Sequence, residues 1–130
     1  MNARRSLCLA AVPLALAGLV AAARSDTRPQ PKPAADVVGE PTSCIPLSHI
    51  RETRVRDDWT IDFIGAGKMV YRNALTERCS GLKSNNAITY KTSLSQLCNT
   101  DIVYVLETTG GVHRGPSCSL GQFVPVRLKK

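Results

Sequence analysis

Outside the apolar N-terminal run, which holds Cys8, four cysteines, two histidines and a few acids carry the side chains of this sequence that could do chemistry. Cys44, Cys79, Cys98 and Cys118 could serve as nucleophiles, metal ligands or disulfide partners. Their spacing contains no CxxC, so neither a zinc ribbon nor a thioredoxin-like redox pair is expected. A thiol nucleophile needs a neighbouring base. His49 and His113 are the only histidines, and nothing in the sequence places either beside a cysteine. They also lack HxxxH or HxH spacing, so no metal site is expected. The remaining reading is a disulfide framework, the default for an even set of cysteines in an exported domain. Four cysteines allow three pairings, and sequence does not choose between them. The pairing adopted as an expectation is Cys44–Cys118, closing the domain ends, with Cys79–Cys98.

The acids offer little more. Asp57 and Asp58 are adjacent, and successive strand residues point to opposite faces, so they cannot form a glycosidase dyad there. A turn before Trp59 is the better reading. Asp101 follows Asn99-Thr100 in a turn-rich cluster and is expected to turn or cap the chain. GGVHRGPS places His113 and Arg114 in a glycine-rich loop, where Arg114 and free backbone amides could meet an anion. Asp101, His113 and Arg114 are therefore the candidate binding residues, and no catalytic residue is assigned. Gly65-Ala66-Gly67 lacks the rest of a nucleotide-binding GxGxxG, and there is no GxSxG elbow. No cofactor is expected. Aromatic residues make up 5% of the chain, too few for a base-stacking platform, so nucleic acid is not an expected partner.

The elements that must position these residues begin after an N-terminal signal. Arg4-Arg5, the apolar run Leu7–Val20 and Ala21-Ala22-Ala23 follow the order of a secretory signal peptide cleaved after Ala23. The other reading is an uncleaved anchor, but the apolar run is short for a membrane span. A periplasmic or secreted product without stable membrane insertion is expected. The formal net charge is +7, and Arg4 and Arg5 would leave with the signal. A mildly basic exported protein is drawn to anions such as phospholipid headgroups or acidic glycans, although such a balance also serves ordinary solubility.

Residues 24–43 carry prolines at 29, 31, 33 and 41 and few large apolar side chains. They read as a disordered or semi-rigid linker. Residues 44–130 form the one globular unit, with mostly period-two patterning. Ile50–Val55 reads as an edge strand. Thr60–Ile64 alternates, with Ile61 and Phe63 opposite Asp62. A Gly65–Gly67 turn leads to a returning strand over Lys68–Leu75, giving the clearest hairpin. Ala87–Thr92 is a further strand, and Ile102–Leu106 has the β-branched and aromatic content of a central one. Gln122–Leu128 closes the domain, with Pro125 suggesting an edge or a bulge. Only Ser93–Leu97 suggests helix. The expected fold is all-β: a small antiparallel sheet, compact barrel or sandwich stapled by disulfides.

The run "CIPLSHIRETRVRDDWTIDF", then "YRNAL" with "CSGL", "YKTSLSQLCNTDIVYVL" and "CSLGQFVPV" resembles a family of small exported Gram-negative proteins. That family is known only as a domain of unknown function. The cysteines, the LCxxD element at Leu97–Asp101 and the CxLGxF element at Cys118–Phe123 carry the likeness, which covers nearly all of residues 44–130. The resemblance implies a Gram-negative envelope setting, and neither a reaction nor catalytic residues. His113 and the proline-rich segment lie outside it. The expected function is a non-enzymatic periplasmic binding or structural module with an envelope component or protein as partner. The alternative is a small envelope enzyme, or an enzyme inhibitor presenting a 108–118 loop.

Overall fold

The computed structural model describes residues 28–130; the expected signal peptide, residues 1–23, and the start of the linker, residues 24–27, lie outside the described residues. The described chain is antiparallel β-structure with one α-helical turn. The strands are β1 (Ala35–Val37), β2 (Cys44–Pro46), β3 (Glu52–Asp57), β4 (Thr60–Ile64), β5 (Val70–Ala74), β6 (Ile88–Tyr90), β7 (Gln96–Cys98), β8 (Ile102–Glu107), β9 (His113–Ser119) and β10 (Phe123–Leu128). They form a five-stranded sheet in the order β1-β10-β5-β4-β3, a β2-β7 pair and a three-stranded β6-β8-β9 sheet.

The hairpin read from the alternating pattern is β4–β5, with Ile61 opposite Asn73 and Phe63 opposite Tyr71. Its connection needs left-handed backbone at Gly67, where φ is 64°. β3 and β4 are joined through Asp58-Trp59. Asp57 Oδ1 accepts the Trp59 N–H at 2.7 Å, so the local side-chain bond expected of a turn aspartate forms. Strand β3 lies at a sheet edge and β8 at a sheet centre, as their composition indicated.

The inner face of the large sheet supplies Val55, Ile61, Phe63, Leu75 and Phe123 to the core. Against them pack Ile45, Leu97, Val103, Val105, Leu82 and Leu120 from the smaller sheets, the helical turn and the β9–β10 connection. The Phe63 and Phe123 rings meet edge-on with centroids 5.4 Å apart. Gly121 precedes β10 for a reason other than freedom of φ: an added Cβ would run into the Ala74 carbonyl. Buried Asn73 clamps the same residue, donating from Nδ2 to the Gly121 carbonyl at 2.7 Å and accepting its N–H at Oδ1 at 2.9 Å.

Several expectations are corrected. The disulfides are Cys44–Cys98 and Cys79–Cys118, not Cys44–Cys118 and Cys79–Cys98. Register decides this: Cys44 lies directly opposite Cys98 in the β2–β7 pair, while Cys118 turns inward from β9 to meet buried Cys79. Ser93–Leu97 is not helical. Leu97 is buried in β7, and the helical turn α1 (Leu82–Asn85) forms elsewhere around buried Leu82. The linker is structured from Ala35, where β1 pairs with β10, and Thr42 exchanges backbone bonds with Phe123. β10 is neither an edge nor bulged at Pro125, because it pairs on both sides. The Pro125 carbonyl accepts from Val38, so its missing N–H faces short β1 and spares the β5 ladder.

Asp58 ties the β3–β4 turn to α1. Its carboxylate accepts the Lys83 N–H at 2.9 Å and the Arg78 Nη2–H at 2.8 Å. The Lys83 amide and then the Arg78 guanidinium hold its pKa below the usual carboxylate value, against a partial desolvation that raises it. A carboxyl with a depressed folded pKa contributes stability above its unfolded pKa, near 4, and loses it as pH falls through the lower folded value. Asp58→Asn is therefore expected to cost about 1–2 kcal/mol at pH 7 and less below pH ~3. Urea denaturation at the two pH values checks this; an equal loss at both would contradict the assignment.

Candidate functional site

The three residues singled out from sequence do not converge. Asp101 Oδ2 accepts the Cys98 N–H at 2.7 Å, so it is the turn residue expected and sits before β8. His113 pairs with Glu107 at the other end of β8, roughly 17 Å of strand away. Its Nε2 lies 2.9 Å from Glu107 Oε2 and its Nδ1 lies 3.0 Å from the Gly111 carbonyl. The Arg114 guanidinium lies 5.1 Å over the Tyr104 ring. The expected 108–118 loop is a correction too. Residues from His113 onward form β9, leaving only the tip before it as a loop, because β8 pairs with this segment as far as His113. His49 ends a short 3-10 turn, and Cys44, Cys79, Cys98 and Cys118 are all taken up in disulfides. Among the described residues no three His, Cys, Asp or Glu side chains gather as a metal site would need. Nor, among them, is any helix long and apolar enough to cross a membrane.

A buried charge cluster escaped the sequence reading. Asp62 points to the outer face of the large sheet, as alternation requires, yet it is completely buried. Arg72 binds it with both prongs, Nε to Oδ1 at 2.7 Å and Nη2 to Oδ2 at 2.9 Å. Arg56 Nε donates to Oδ2 at 2.7 Å. Arg72 lies opposite Asp62 in the β4–β5 register, which could have been read from the hairpin once its turn was known. Arg56 comes from the bulge in β3, which no sequence signal marks. With two cations and one anion, the cluster is built to hold shape, since each carboxylate oxygen is satisfied. Arg56 Nη2 is buried without a partner among the described residues.

A second feature lies where the inner face of the large sheet runs beyond the core. Register puts Tyr71 beside Pro125 and Arg127 beside Asp36 on that face. Tyr71 packs partly against the core and marks its limit. Beyond it a groove of about 500 Å³ opens, lined by Val38, Met69, Tyr71 and Pro125, with Lys68 and Arg127 among its walls. Val38 is 53% and Met69 50% exposed there. The Gly65–Met69 connection forms one wall, since Gly65 and Met69 close a backbone bond of 2.8 Å. Neither Lys68 nor Arg127 has a side-chain ion-pair or hydrogen-bond partner among the described residues. An apolar surface beside two cations that form no ion pair among the described residues can hold the body of a ligand and its anionic group together. The volume is within the range of small-ligand sites. Sequence reading missed it because its residues come from three segments far apart in the chain: Val38, residues 66–71 and residues 125–127.

The comparisons with known proteins add no relative: no family model, no curated protein and no solved structure matches the chain.

Proposed function

We propose that this chain is a non-enzymatic binding module of the bacterial cell envelope, periplasmic or secreted, whose groove takes an anionic, acyl-bearing envelope lipid. The observation that carries this reading is the pairing of Lys68 and Arg127, which have no side-chain partner among the described residues, with the exposed apolar surface of Val38 and Met69. A lipid supplies the matching halves, an anionic headgroup for the cations and an acyl segment for the apolar floor. The signal-like N-terminus and the two disulfides fit an oxidising compartment where such lipids are found.

The test is co-flotation of the exported protein with vesicles of phosphatidylglycerol or of phosphatidylcholine. Binding is expected to the anionic vesicles, to weaken as salt is raised, and to fall roughly tenfold or more in the Lys68→Glu/Arg127→Glu variant. Circular dichroism confirms that the variant is folded. Equal binding to both vesicles, or an unaffected double variant, would reject the reading.

A second reading has one observation in its favour. Val112 is 74% exposed at the tip of the β8–β9 hairpin, and β9 is stapled through Cys118. An enzyme inhibitor presents such a tip. Inhibition of an envelope enzyme that Val112→Asp abolishes, while Lys68→Glu leaves it intact, would replace the lipid reading with this one.

A further inference from the structure

The outer face of the large sheet is covered by the chain's own proline-rich segment. Residues 28–34 cross it, and β1 then adds to the sheet beside β10. Arg28 Nη2 donates to the Thr76 carbonyl at 3.3 Å, and the Arg28 guanidinium stands 4.6 Å over the Trp59 ring. Arg72 Nη2 donates to the Pro33 carbonyl at 3.0 Å. Farther along, the Ala34 carbonyl accepts from the Lys129 N–H at 2.8 Å.

These contacts have the features of a receptor for a proline-rich segment, here one that bends at Lys32-Pro33. Such a segment makes no internal hydrogen bonds, so its carbonyls need outside donors and its rings suit an aromatic neighbour. Arg72 is a fixed donor: buried Asp62 grips the Nε–Nη2 edge of its guanidinium with both oxygens, which leaves the remaining Nη2 hydrogen for the Pro33 carbonyl of the strap. Trp59 supplies the aromatic surface. Open clefts of about 220 and 260 Å³ lie where the strap meets the sheet, one beside Pro31, Trp59 and Ala74 and the other beside Gln30, Val124 and Val126.

The strap is lightly anchored. β1 has three residues, and Val37 is 66% exposed. Residues 38–41 are exposed and join it to Thr42, whose backbone bonds to Phe123 in both directions and holds the domain side of the junction. We infer that this outer face is an interaction surface for the strap of a second copy, and that two copies exchange residues 28–38 reciprocally.

The second copy is favoured over a foreign peptide for a physical reason. A foreign segment must displace a strap held at the high effective concentration of a short tether. An exchanged strap remakes every contact of the closed monomer, so the contest reduces to association entropy and the shape of the hinge. The exchange also changes the groove, because Val38 belongs to the moving segment and each groove would then take that residue from its partner. The inference itself does not depend on what the groove binds.

Two variants of the full exported chain, Gln30→Cys and Ala74→Cys, test this, since both residues line the 220 Å³ cleft. They are made separately, mixed near the millimolar concentrations that match a tether, and oxidised mildly. The expected result is an intermolecular bond between positions 30 and 74 by peptide mapping. A dimer whose fraction falls on dilution is expected by light scattering. A Thr108→Cys partner, on the remote hairpin tip, measures random collision and should give little product. The Gln30→Cys/Ala74→Cys double variant, oxidised dilute, should close within one chain. Closure in the double variant with the mixture no more crosslinked than the Thr108 control would overturn the exchange. Failure of the double variant to close would overturn the strap's seat on this face, and the exchange with it.

Discussion

Asp62→Ala is expected to lower the free energy of unfolding by about 3–5 kcal/mol at neutral pH, the cost of removing one partner from a buried ion pair. Chemical denaturation followed by circular dichroism measures it. The side chain is completely buried and holds two guanidiniums that are themselves nearly covered. Without it, Arg56 and Arg72 lose the one carboxylate that bonds both of them, and Arg56 Nη2 already lacks a hydrogen-bond partner among the described residues. Substitution with asparagine should cost less, because the amide oxygen keeps one acceptor while the charge is lost. The strap supplies a separate readout: Arg72 no longer has a fixed orientation toward Pro33, so protease cleavage within residues 28–41 should quicken. A loss below about 1 kcal/mol, the range of a surface ion pair, would show that water reaches the cluster and that it does not organise the outer face.

Removing the Cys79–Cys118 bond by Cys79→Ala/Cys118→Ala is expected to cost about 4 kcal/mol, the loop-closure term for a separation of 39 residues. Against a usual total of about 5–15 kcal/mol for a domain, that loss is enough to leave a marginal fold largely melted at 37 °C. This bond lies in the core with Leu82 and Val103 and joins the segment before α1 to β9, so its loss also loosens contact between the sheets. Thermal unfolding with and without reductant gives the size of the effect. Non-reducing peptide mapping gives the pairing, and a Cys44–Cys118 peptide would refute the register described above.

The β4–β5 hairpin and the central position of β8 were legible because their signals are local. TIDFI alternates over its whole length, a glycine with left-handed backbone follows it, and IVYVL is β-branched and aromatic throughout. The turn role of Asp101 was legible for the same reason, since its bond reaches only three residues back. Ser93–Leu97 misled because its local helical preference is weak and was overridden. Pairing with β2, burial of Leu97 and the bond from Cys98 to Cys44 all demand extended chain. The 24–43 segment misled in the opposite way. Its composition cannot bury a core of its own, yet the ladder offered by β10 and the donor offered by Arg72 give it partners from the far end of the chain.

By itself, then, the amino-acid sequence determined an all-β, disulfide-stapled class, since alternation and cysteine number need no knowledge of distant neighbours. Tertiary structure alone decided which cysteines pair, that Asp62 is buried between two arginines, and that Val38, Lys68, Met69 and Arg127 share a groove. Each of these depends on strand order and register. Those are chosen by the packing of segments many residues apart, so no local pattern encodes them.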